Sequence, residues 1–407
     1  MQESGNSVTA AARKKKPEAK GPVNIELGSS VATVRFALKP RRASRNIFVF
    51  IVVPGSMSRD DVVTLLNELF ANSNVPCRVQ HTTYGGLGMF ASRRIRAGEV
   101  VLHERPLLLT VERQYESSVC AHCLARCQHG RDWEIGCRNC DRVRYCSSAC
   151  QASHQHTDLE CAALAAAAAD CNADDAVDLV TQAIAALALR AREGELELLT
   201  GVVVGYSGYD RLCGIRRTLR NGAVIKRAVV SALKAIAPPA RVPAKELYAV
   251  LDRHQANVYG VTGPGNADLA LASFVGAFHL FNHSCLPNLV FDSLPRGREE
   301  AGGGCRPRFA LVALTEVKEG DELVHCYASS AEGPRARRSY LEDHYGFVCS
   351  CPRCLSADAD LEQEAELTQR LEAMRCGLPG CGSGLGFPIG GGWRQCVHCG
   401  GTWEVDE

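Results

Sequence analysis

The sequence predicts an α+β protein that is rich in β-strands and carries several cysteine-based metal sites. Segments with strand-like apolar alternation lie on both sides of a central region with helical periodicity. Twenty-one cysteines, many of them in Cys-x2-Cys pairs, are grouped in clusters along a chain of 407 residues. Such pairs in a long chain without an apolar leader are typical of zinc sites in a reducing compartment rather than of disulfides.

Composition and charge argue against several classes of function. Hydrophobic residues make up 46% and charged residues 22% of the chain, as in ordinary globular proteins. The formal net charge of +1 argues against nucleic acid as the main partner. The most apolar run, residues 47–53, is too short to cross a bilayer, and Met1 is followed by polar residues rather than a signal peptide. We expect a monomer without membrane contact, located in the cytoplasm, the nucleus or both.

The first 80 residues are not assigned any chemistry. Residues 1–22 are predicted to be a disordered basic tail, with nuclear targeting or an acidic partner as the alternative role for the basic run at residues 13–16. Residues 23–80 are predicted to form a small α/β extension. Its strands are expected at Val23–Leu27, 31–38 and 47–53, and its helix after Met57.

The central region, residues 163–258, is predicted to be a helical insert. Val177, Val180 and Ile184 recur at helix spacing, and Pro243 stands where a further helix would begin. Because apolar stripes of this kind more often form core than line a cofactor site, we assign the insert to packing.

Residues 119–162 contain cysteines at spacings that supply zinc ligands in pairs. Zinc takes four nitrogen or sulfur ligands in a tetrahedron, and one Cys-x2-Cys turn provides two thiolates at once. Together with one histidine, the cysteines of this segment make two closed sites. A segment of about forty residues has too little apolar surface to fold alone, so metal would supply much of its folding free energy. The cysteines are Cys120, Cys123, Cys137, Cys140, Cys146, Cys150 and Cys161, with Cys127 outside the pattern.

Residues 357–407 are predicted to form a zinc ribbon. Cys376-x4-Cys381 and Cys396-x2-Cys399 are separated by a spacing typical of two zinc knuckles. We expect a structural cap or a partner-binding surface, because the nearby basic residues are too few to argue for a nucleic-acid ribbon. The cysteines that fit no site are predicted to be ordinary thiols: Cys77, Cys171, Cys213, Cys305 and Cys326.

Four further segments carry a distinctive combination of motifs. Residues 281–288 read Phe-Asn-His-Ser-Cys-Leu-Pro-Asn, a run that is rare by chance. Residues 85–91 form a glycine-rich turn, where the backbone can approach a ligand closely. Residues 320–327 read Gly-Asp-Glu-Leu-Val-His-Cys-Tyr, and residues 340–354 end in Cys-x-Cys-x2-Cys. Together these segments resemble the SET domain of protein-lysine methyltransferases.

With the first cysteine cluster, whose order is similar to that of a MYND finger, the chain resembles the SMYD family. The resemblance implies a β-rich SET fold divided between residues 81–118 and 259–332, with the finger at 119–162 and a post-SET segment at 333–356. It does not extend to the first 80 residues, and the family's C-terminal helical-repeat domain has no counterpart in this sequence.

The resemblance also assigns site residues. In the family, S-adenosylmethionine contacts the glycine turn and the Asn-His pair, Tyr327 corresponds to the active-site tyrosine, and Tyr345 and Phe347 wall a narrow lysine channel. Family members often carry a polar residue at the position of Leu87, and Asn257 is equally well explained as a helix-terminating residue. The cofactor-binding residues implied are Gly86, Leu87, Gly88, Asn257, Asn282, His283, Tyr327 and Phe347.

The family pattern pairs the metal ligands. The first finger site takes Cys120, Cys123, Cys146 and Cys150, and the second takes Cys137, Cys140, Cys161 and a histidine. The usual position of that histidine falls on Thr157, so we choose His156, with His154 as the alternative. The post-SET site takes Cys285, Cys349, Cys351 and Cys354. With Cys376, Cys381, Cys396 and Cys399 of the ribbon, four zinc ions are expected.

The resemblance implies two alternative functions. The first is S-adenosylmethionine-dependent methylation of a lysine on a histone or another protein, in which the aromatic channel favours the neutral amine and Tyr327 aligns it. The second is a non-catalytic zinc adaptor, whose MYND finger binds proline-rich peptides. Cofactor binding distinguishes the two functions.

Overall fold

The fold is known from a computed structural model, and the elements below are those of the residues that it describes. These are residues 23–27, 30–34, 59–84, 86–127, 131–154, 156, 158–169, 181–186, 196–198, 202–204, 243–262, 268–274, 277–293, 307–328, 333–356, 374, 376–379, 381, 386–390, 393–396 and 401–404. The predicted tail at residues 1–22, the predicted strand at residues 47–53, and Cys171, Cys213, Cys305 and Cys399 lie outside these ranges.

The described chain is rich in short strands, with helices between them. The strands are β1 (Val23–Leu27), β2 (Ser30–Val34), β3 (Cys77–His81), β4 (Leu87–Ala91), β5 (Val100–Glu104), β6 (Leu108–Val111), β7 (Ile135–Gly136), β8 (Arg144–Tyr145), β9 (Leu196–Leu198), β10 (Val202–Val204), β11 (Val258–Thr262), β12 (Asp268–Ser273), β13 (Asn282–His283), β14 (Leu289–Ser293), β15 (Phe309–Ala313), β16 (Glu322–His325), β17 (Gly386–Gly390), β18 (Trp393–Cys396) and β19 (Thr402–Glu404). The labelled helices are α1 (Arg59–Asn72), α2 (Ser148–Ser153), α3 (Asp158–Ala169), α4 (Ala244–Asn257), α5 (Pro334–Tyr345) and α6 (Pro352–Ser356).

Three sheets form the body of the protein, and each combines strands from two distant parts of the chain. Their orders are β13-β16-β4-β3, β14-β15-β5 and β11-β12-β6. In every one, a strand from before residue 112 pairs with a strand from after residue 258. The residues between these two parts are therefore an insertion into one β-rich unit, and the unit folds only when its two halves meet.

The shared core of the three sheets is aromatic and aliphatic. Phe274, Phe278, Phe291 and Phe309 pack ring against ring, and Tyr259 stands over Phe291 with ring centroids 4.8 Å apart. Offset and edge-on contacts of this kind add to the stability gained from burying the rings. This core fixes the strands whose ends carry the candidate site.

Several expectations about the extension and the insert need correction. Residues 77–80, which the sequence placed in a separate extension, belong to β3 at the edge of a central sheet, and the side chain of Asn67 on α1 hydrogen-bonds the backbone of Val79 at 2.7 and 3.0 Å. The insert is not wholly helical: β9 and β10 pair as a hairpin, because the run Val202-Val203-Val204 prefers extended backbone.

The helices of the insert agree with the periodicity in part. Pro243 is the N-cap of α4, and residues 181–186 are helical, with Ile184 fully buried. That segment is attached to the body through Gln182, whose side chain donates to the carbonyl of Leu271 in β12. Among the described residues, each helix is too short or too polar to span a bilayer.

Candidate active site and metal centres

A short parallel pairing between β13 and β16 builds the centre of the candidate site. It places Asn282 opposite Val324 and His283 opposite His325. Directly after β16, the backbone N–H of Tyr327 donates to Nδ1 of His283 at 3.0 Å. The Tyr327 hydroxyl donates to the carbonyl of Phe281 at 2.7 Å. Tyr327 is therefore held at both its backbone and its side chain by the residues around the Asn-His pair.

The glycine-rich turn reaches the same place from the other half of the chain. The side-chain Nδ2 of Asn282 donates to the carbonyl of Leu87 at 3.1 Å. A Cβ at Gly88 would lie 2.7 Å from Oε1 of Glu322 and 2.8 Å from Nδ2 of Asn282, so a larger residue there would require these side chains to shift. Gly86 has a φ of 84°, a left-handed backbone that favours glycine. The three sequence-predicted stretches around residues 86, 283 and 327 thus converge.

Two residues of the site were missed by sequence reasoning. Oε1 of Glu322 accepts from Nδ2 of Asn282 at 2.9 Å and from the hydroxyl of Tyr84. Tyr84 is 64% exposed, so its contact with the carboxylate lies on the solvent side of the site. The position of Glu322 inside the Gly-Asp-Glu-Leu segment was available as a signal, whereas nothing local to Tyr84 indicates its partner 238 residues away.

The predicted channel residues surround Tyr327. The ring of Tyr345 lies 4.9 Å from that of Tyr327, and the ring of Phe347 lies 5.8 Å from that of His283. Phe347 is 37% exposed and forms the outer edge of the group. Asn257 is the last residue of α4, and its Nδ2 donates to the carbonyl of Arg253 at 2.7 Å, as expected of a residue that terminates a helix.

Burial sets the protonation of the central groups. It lowers the pKa of His283 to about 4 and that of His325 to about 3, so both imidazoles are neutral at pH 7. Burial, with contributions from Tyr84 and Glu322, raises the pKa of Tyr327 well above its usual range. Tyr327 is therefore a neutral phenol that donates and accepts hydrogen bonds, rather than a base.

A four-cysteine cluster adjoins the tyrosine. Its ligand atoms lie within 4.8 Å of one another, and the cluster consists of Cys285, Cys349, Cys351 and Cys354. Sγ of Cys285 is 3.4 Å from Sγ of Cys354 and 3.9 Å from Sγ of Cys349. Four thiolates bound to zinc at about 2.3 Å form a tetrahedron with edges of about 3.8 Å, so the spacing fits that ion. Nε2 of His283 is 3.2 Å from Sγ of Cys285, which joins the cluster to the site.

Two further clusters form in the segment of residues 120–161. One is Cys120, Cys123, Cys146 and Cys150, and the other is Cys137, Cys140, His156 and Cys161. In the second, Nε2 of His156 lies 3.4 Å from Sγ of Cys140, while its Nδ1 lies 3.1 Å from Oε2 of Glu160. A carboxylate on the second nitrogen is the usual partner of a metal-binding histidine, because it fixes the tautomer.

The alternative histidine has a different environment. Nδ1 of His154 is 2.8 Å from the hydroxyl of Tyr145, and its ring packs against Tyr145 at 5.5 Å. The structure thus places His156, and not His154, among the thiols.

The C-terminal cluster is described for three of its four predicted ligands, Cys376, Cys381 and Cys396. Sγ of Cys381 and Sγ of Cys396 are 3.7 Å apart. No disulfide is present among the described cysteines. These clusters have donor sets that could bind zinc.

A β-rich unit assembled from two halves of a chain, with an Asn-His pair and a tyrosine joined across parallel strands, is the arrangement of a SET domain. The SET domain family model matches residues 86–328, which is more than half of the chain. The chain belongs to the SET domain family.

Two relatives illustrate the similarity. The chain is 26% identical over 294 residues to the mouse histone-lysine N-methyltransferase SMYD3, covering 69% of this chain and 62% of that protein. It is 27% identical over 335 residues to the Arabidopsis thaliana histone-lysine N-methyltransferase ASHR2, covering 76% of this chain and 80% of that protein. A solved SET domain of LSMT bound to lysine and AdoHcy covers 72% of this chain and 58% of its own, with 14% identity and a TM-score of 0.37, which is too low to support a conclusion.

Proposed function

We propose that this chain is an S-adenosylmethionine-dependent protein-lysine N-methyltransferase acting on a histone or another protein. The proposal rests on one observation: Asn282 hydrogen-bonds Leu87 while His283 hydrogen-bonds Tyr327, so that three distant stretches surround one place. The relatives named as histone-lysine N-methyltransferases support the same reaction.

The cofactor would be held where the glycine turn meets the Asn-His pair. S-adenosylmethionine supplies a methyl group on a cationic sulfonium, which a neutral lysine amine takes while the sulfur keeps the bonding electrons and the amine proton leaves to water. Gly86 leaves room for the backbone to approach a ligand, because a Cβ there would have no other atom within 4 Å. The backbone of Leu87 lies at the same place, because its carbonyl accepts a hydrogen bond from Asn282.

The residues around Tyr327 would orient the lysine. The phenol oxygen and the Phe281 carbonyl oxygen lie 2.7 Å apart, and both accept N–H hydrogen bonds from an amine. Two such bonds direct the amine lone pair away from these oxygens, towards an approaching methyl group. A free lysine has a pKa of about 10.4, and the rings of Tyr327, Tyr345 and Phe347 lower it by disfavouring the ammonium.

The metal sites would organise this centre and its surroundings. Zinc at Cys285, Cys349, Cys351 and Cys354 would fix the segment that carries Tyr345 and Phe347 against the Asn-His pair. We assign the two clusters of residues 120–161 to a MYND finger and propose four ions in all, with Cys399 completing the C-terminal site.

Calorimetry with S-adenosylmethionine on the zinc-loaded chain tests the proposal. We expect saturable binding, and transfer of labelled methyl groups to lysines in a histone mixture or in a total protein extract. Tyr327→Phe should keep cofactor binding and lose transfer, whereas Tyr115→Phe, in a 3-10 helix outside the site, should keep both. If the wild-type chain does not bind the cofactor, the proposal is wrong and the adaptor function takes its place.

A further inference from the structure

The proposed cofactor cradle is the place where the glycine turn of residues 85–91 meets Asn282 and His283. A carboxylate lies inside this cradle. Glu322 begins β16, and its Oε1 lies 2.9 Å from Nδ2 of Asn282 and 2.7 Å from the position that a Gly88 Cβ would occupy. Asn282 uses the same amide to reach the carbonyl of Leu87. Glu322 thus contacts the predicted cofactor residues from both halves of the chain.

The surroundings of Glu322 keep its charge effective. Its side chain is half-buried, and the hydroxyl of Tyr84 donates to Oε1 from the solvent side. A charge with less water around it acts more strongly on its neighbours than an exposed one. The charge of Glu322 reaches across the site, because it contributes, after burial and Tyr84, to the raised pKa of Tyr327.

We propose that Glu322 makes the cradle selective for a cationic ligand and thereby favours S-adenosylmethionine over its product, S-adenosylhomocysteine. This inference rests on the proposed function. The two molecules differ at one atom by a methyl group and one positive charge, since a sulfonium becomes a neutral thioether. A fixed carboxylate in the cradle attracts the cationic sulfonium, whereas it has no such attraction for the neutral thioether. The site would therefore release its product more readily than its shape alone allows.

Calorimetry with three ligands tests the charge selectivity without requiring activity. The ligands are S-adenosylmethionine, S-adenosylhomocysteine and sinefungin, which carries an amine that is protonated at neutral pH in place of the sulfonium. Glu322→Gln keeps an acceptor for Asn282 and Tyr84 but removes the charge. We expect it to lower the affinity ratio of S-adenosylmethionine to S-adenosylhomocysteine about tenfold, with a similar loss for sinefungin.

Asp321→Asn is the matched control. It removes the same charge one residue earlier, at an exposed side chain whose Oδ2 accepts from the backbone of Lys318 at 3.1 Å. This control should leave the affinity ratio unchanged. The melting temperature of each variant reports whether it is folded.

The outcomes separate this inference from the proposed function. Equal weakening of all three ligands by Glu322→Gln would mean that Glu322 only supports Asn282. Unchanged affinities would mean that the charge of Glu322 does not act on the ligand. Either result overturns this inference and leaves the proposed function intact. If Glu322→Gln does not fold, the wild-type chain decides, since it must bind both cationic ligands more tightly than the neutral product. A wild-type chain that binds none of the three overturns the inference and the proposed function together.

Discussion

The backbone N–H of Tyr327 donates to Nδ1 of His283 at 3.0 Å, and this bond joins residues 44 positions apart. It requires His283 to be neutral with its Nδ1 unprotonated, which the burial of the ring favours. The Asn-His run therefore positions the tyrosine that would face the lysine, in addition to its proposed contact with the cofactor.

The first prediction concerns that bond. His283→Ala removes the acceptor and leaves a half-buried N–H without its partner, at a cost of about 1–3 kcal/mol, or roughly five- to 150-fold in an equilibrium. We expect methyl transfer to fall by at least that factor while circular dichroism shows a folded chain. His81→Ala, at an exposed histidine of β3, is the control and should retain the activity. A His283→Ala variant with wild-type transfer would show that Tyr327 is positioned without this bond.

The second prediction concerns the metal beside the site. Cys285→Ser removes one of four clustered thiols, so metal analysis should find one zinc ion fewer per chain and the melting temperature should drop. Cys326→Ser is the matched control, because the Cys326 thiol donates to the carbonyl of Ala328 at 3.1 Å, a role that a serine hydroxyl can fill. Identical zinc content in both variants would exclude Cys285 as a ligand.

The third prediction separates two neighbouring histidines. His156→Ala should lose one zinc ion per chain, since its Nε2 faces Cys140 and its Nδ1 faces Glu160. His154→Ala should keep the full zinc content, because His154 contacts Tyr145 and stands outside the thiol cluster. Loss of zinc from the His154 variant alone would reverse the assignment.

The fourth prediction concerns acid stability. Burial, with smaller contributions from Arg308 and Arg105, lowers the pKa of His103 to about 4 from about 6.5. Between these values the unfolded chain binds a proton that the folded chain does not, so stability falls as the pH drops from 6.5 to 4, by about 3 kcal/mol at most. His103→Gln should flatten that part of the profile in denaturant unfolding, and His81→Gln should not. Parallel wild-type and His103→Gln profiles would contradict the pKa direction.

How much of the site can be predicted from the sequence depends on whether the residues that form each feature lie close together along the chain. The cysteine pairs and the Asn-His-Ser-Cys run are local, and the family resemblance that they carry implied which thiols would meet. Tyr84 was not recognised, because its partner Glu322 is distant in sequence and an exposed tyrosine next to a glycine turn has no diagnostic spacing. The choice of His156 came from proximity in sequence, and its contacts with Cys140 and Glu160 distinguish it from His154.

The attachment of the C-terminal sheet was also beyond sequence reasoning. All five residues of β15 are buried, and alternate residues face opposite sides. Phe309 and Leu311 face the main core, whereas Ala310 and Val312 face Phe387 of β17. A fully apolar strand indicates cover on both faces, but it does not identify the segment that provides it.

The last prediction tests whether that cover stabilises the SET domain. Phe387 is 3% exposed and packs on β15, and Gly98 faces it so closely that a Cβ there would lie 3.0 Å from the Phe387 Cβ. Phe387→Ala should lower the free energy of unfolding by about 3–5 kcal/mol, because it leaves a cavity against β15.

Trp393→Ala is the control, since Trp393 lies in the same small sheet but is 43% exposed, and its change should stay within about 0.5 kcal/mol. Denaturant unfolding measured by circular dichroism, with zinc content determined for both variants, distinguishes lost packing from lost metal. If Phe387→Ala unfolds like the wild type at full zinc content, the C-terminal sheet does not stabilise the SET domain, and a role in partner binding becomes the better explanation of its position beside β15.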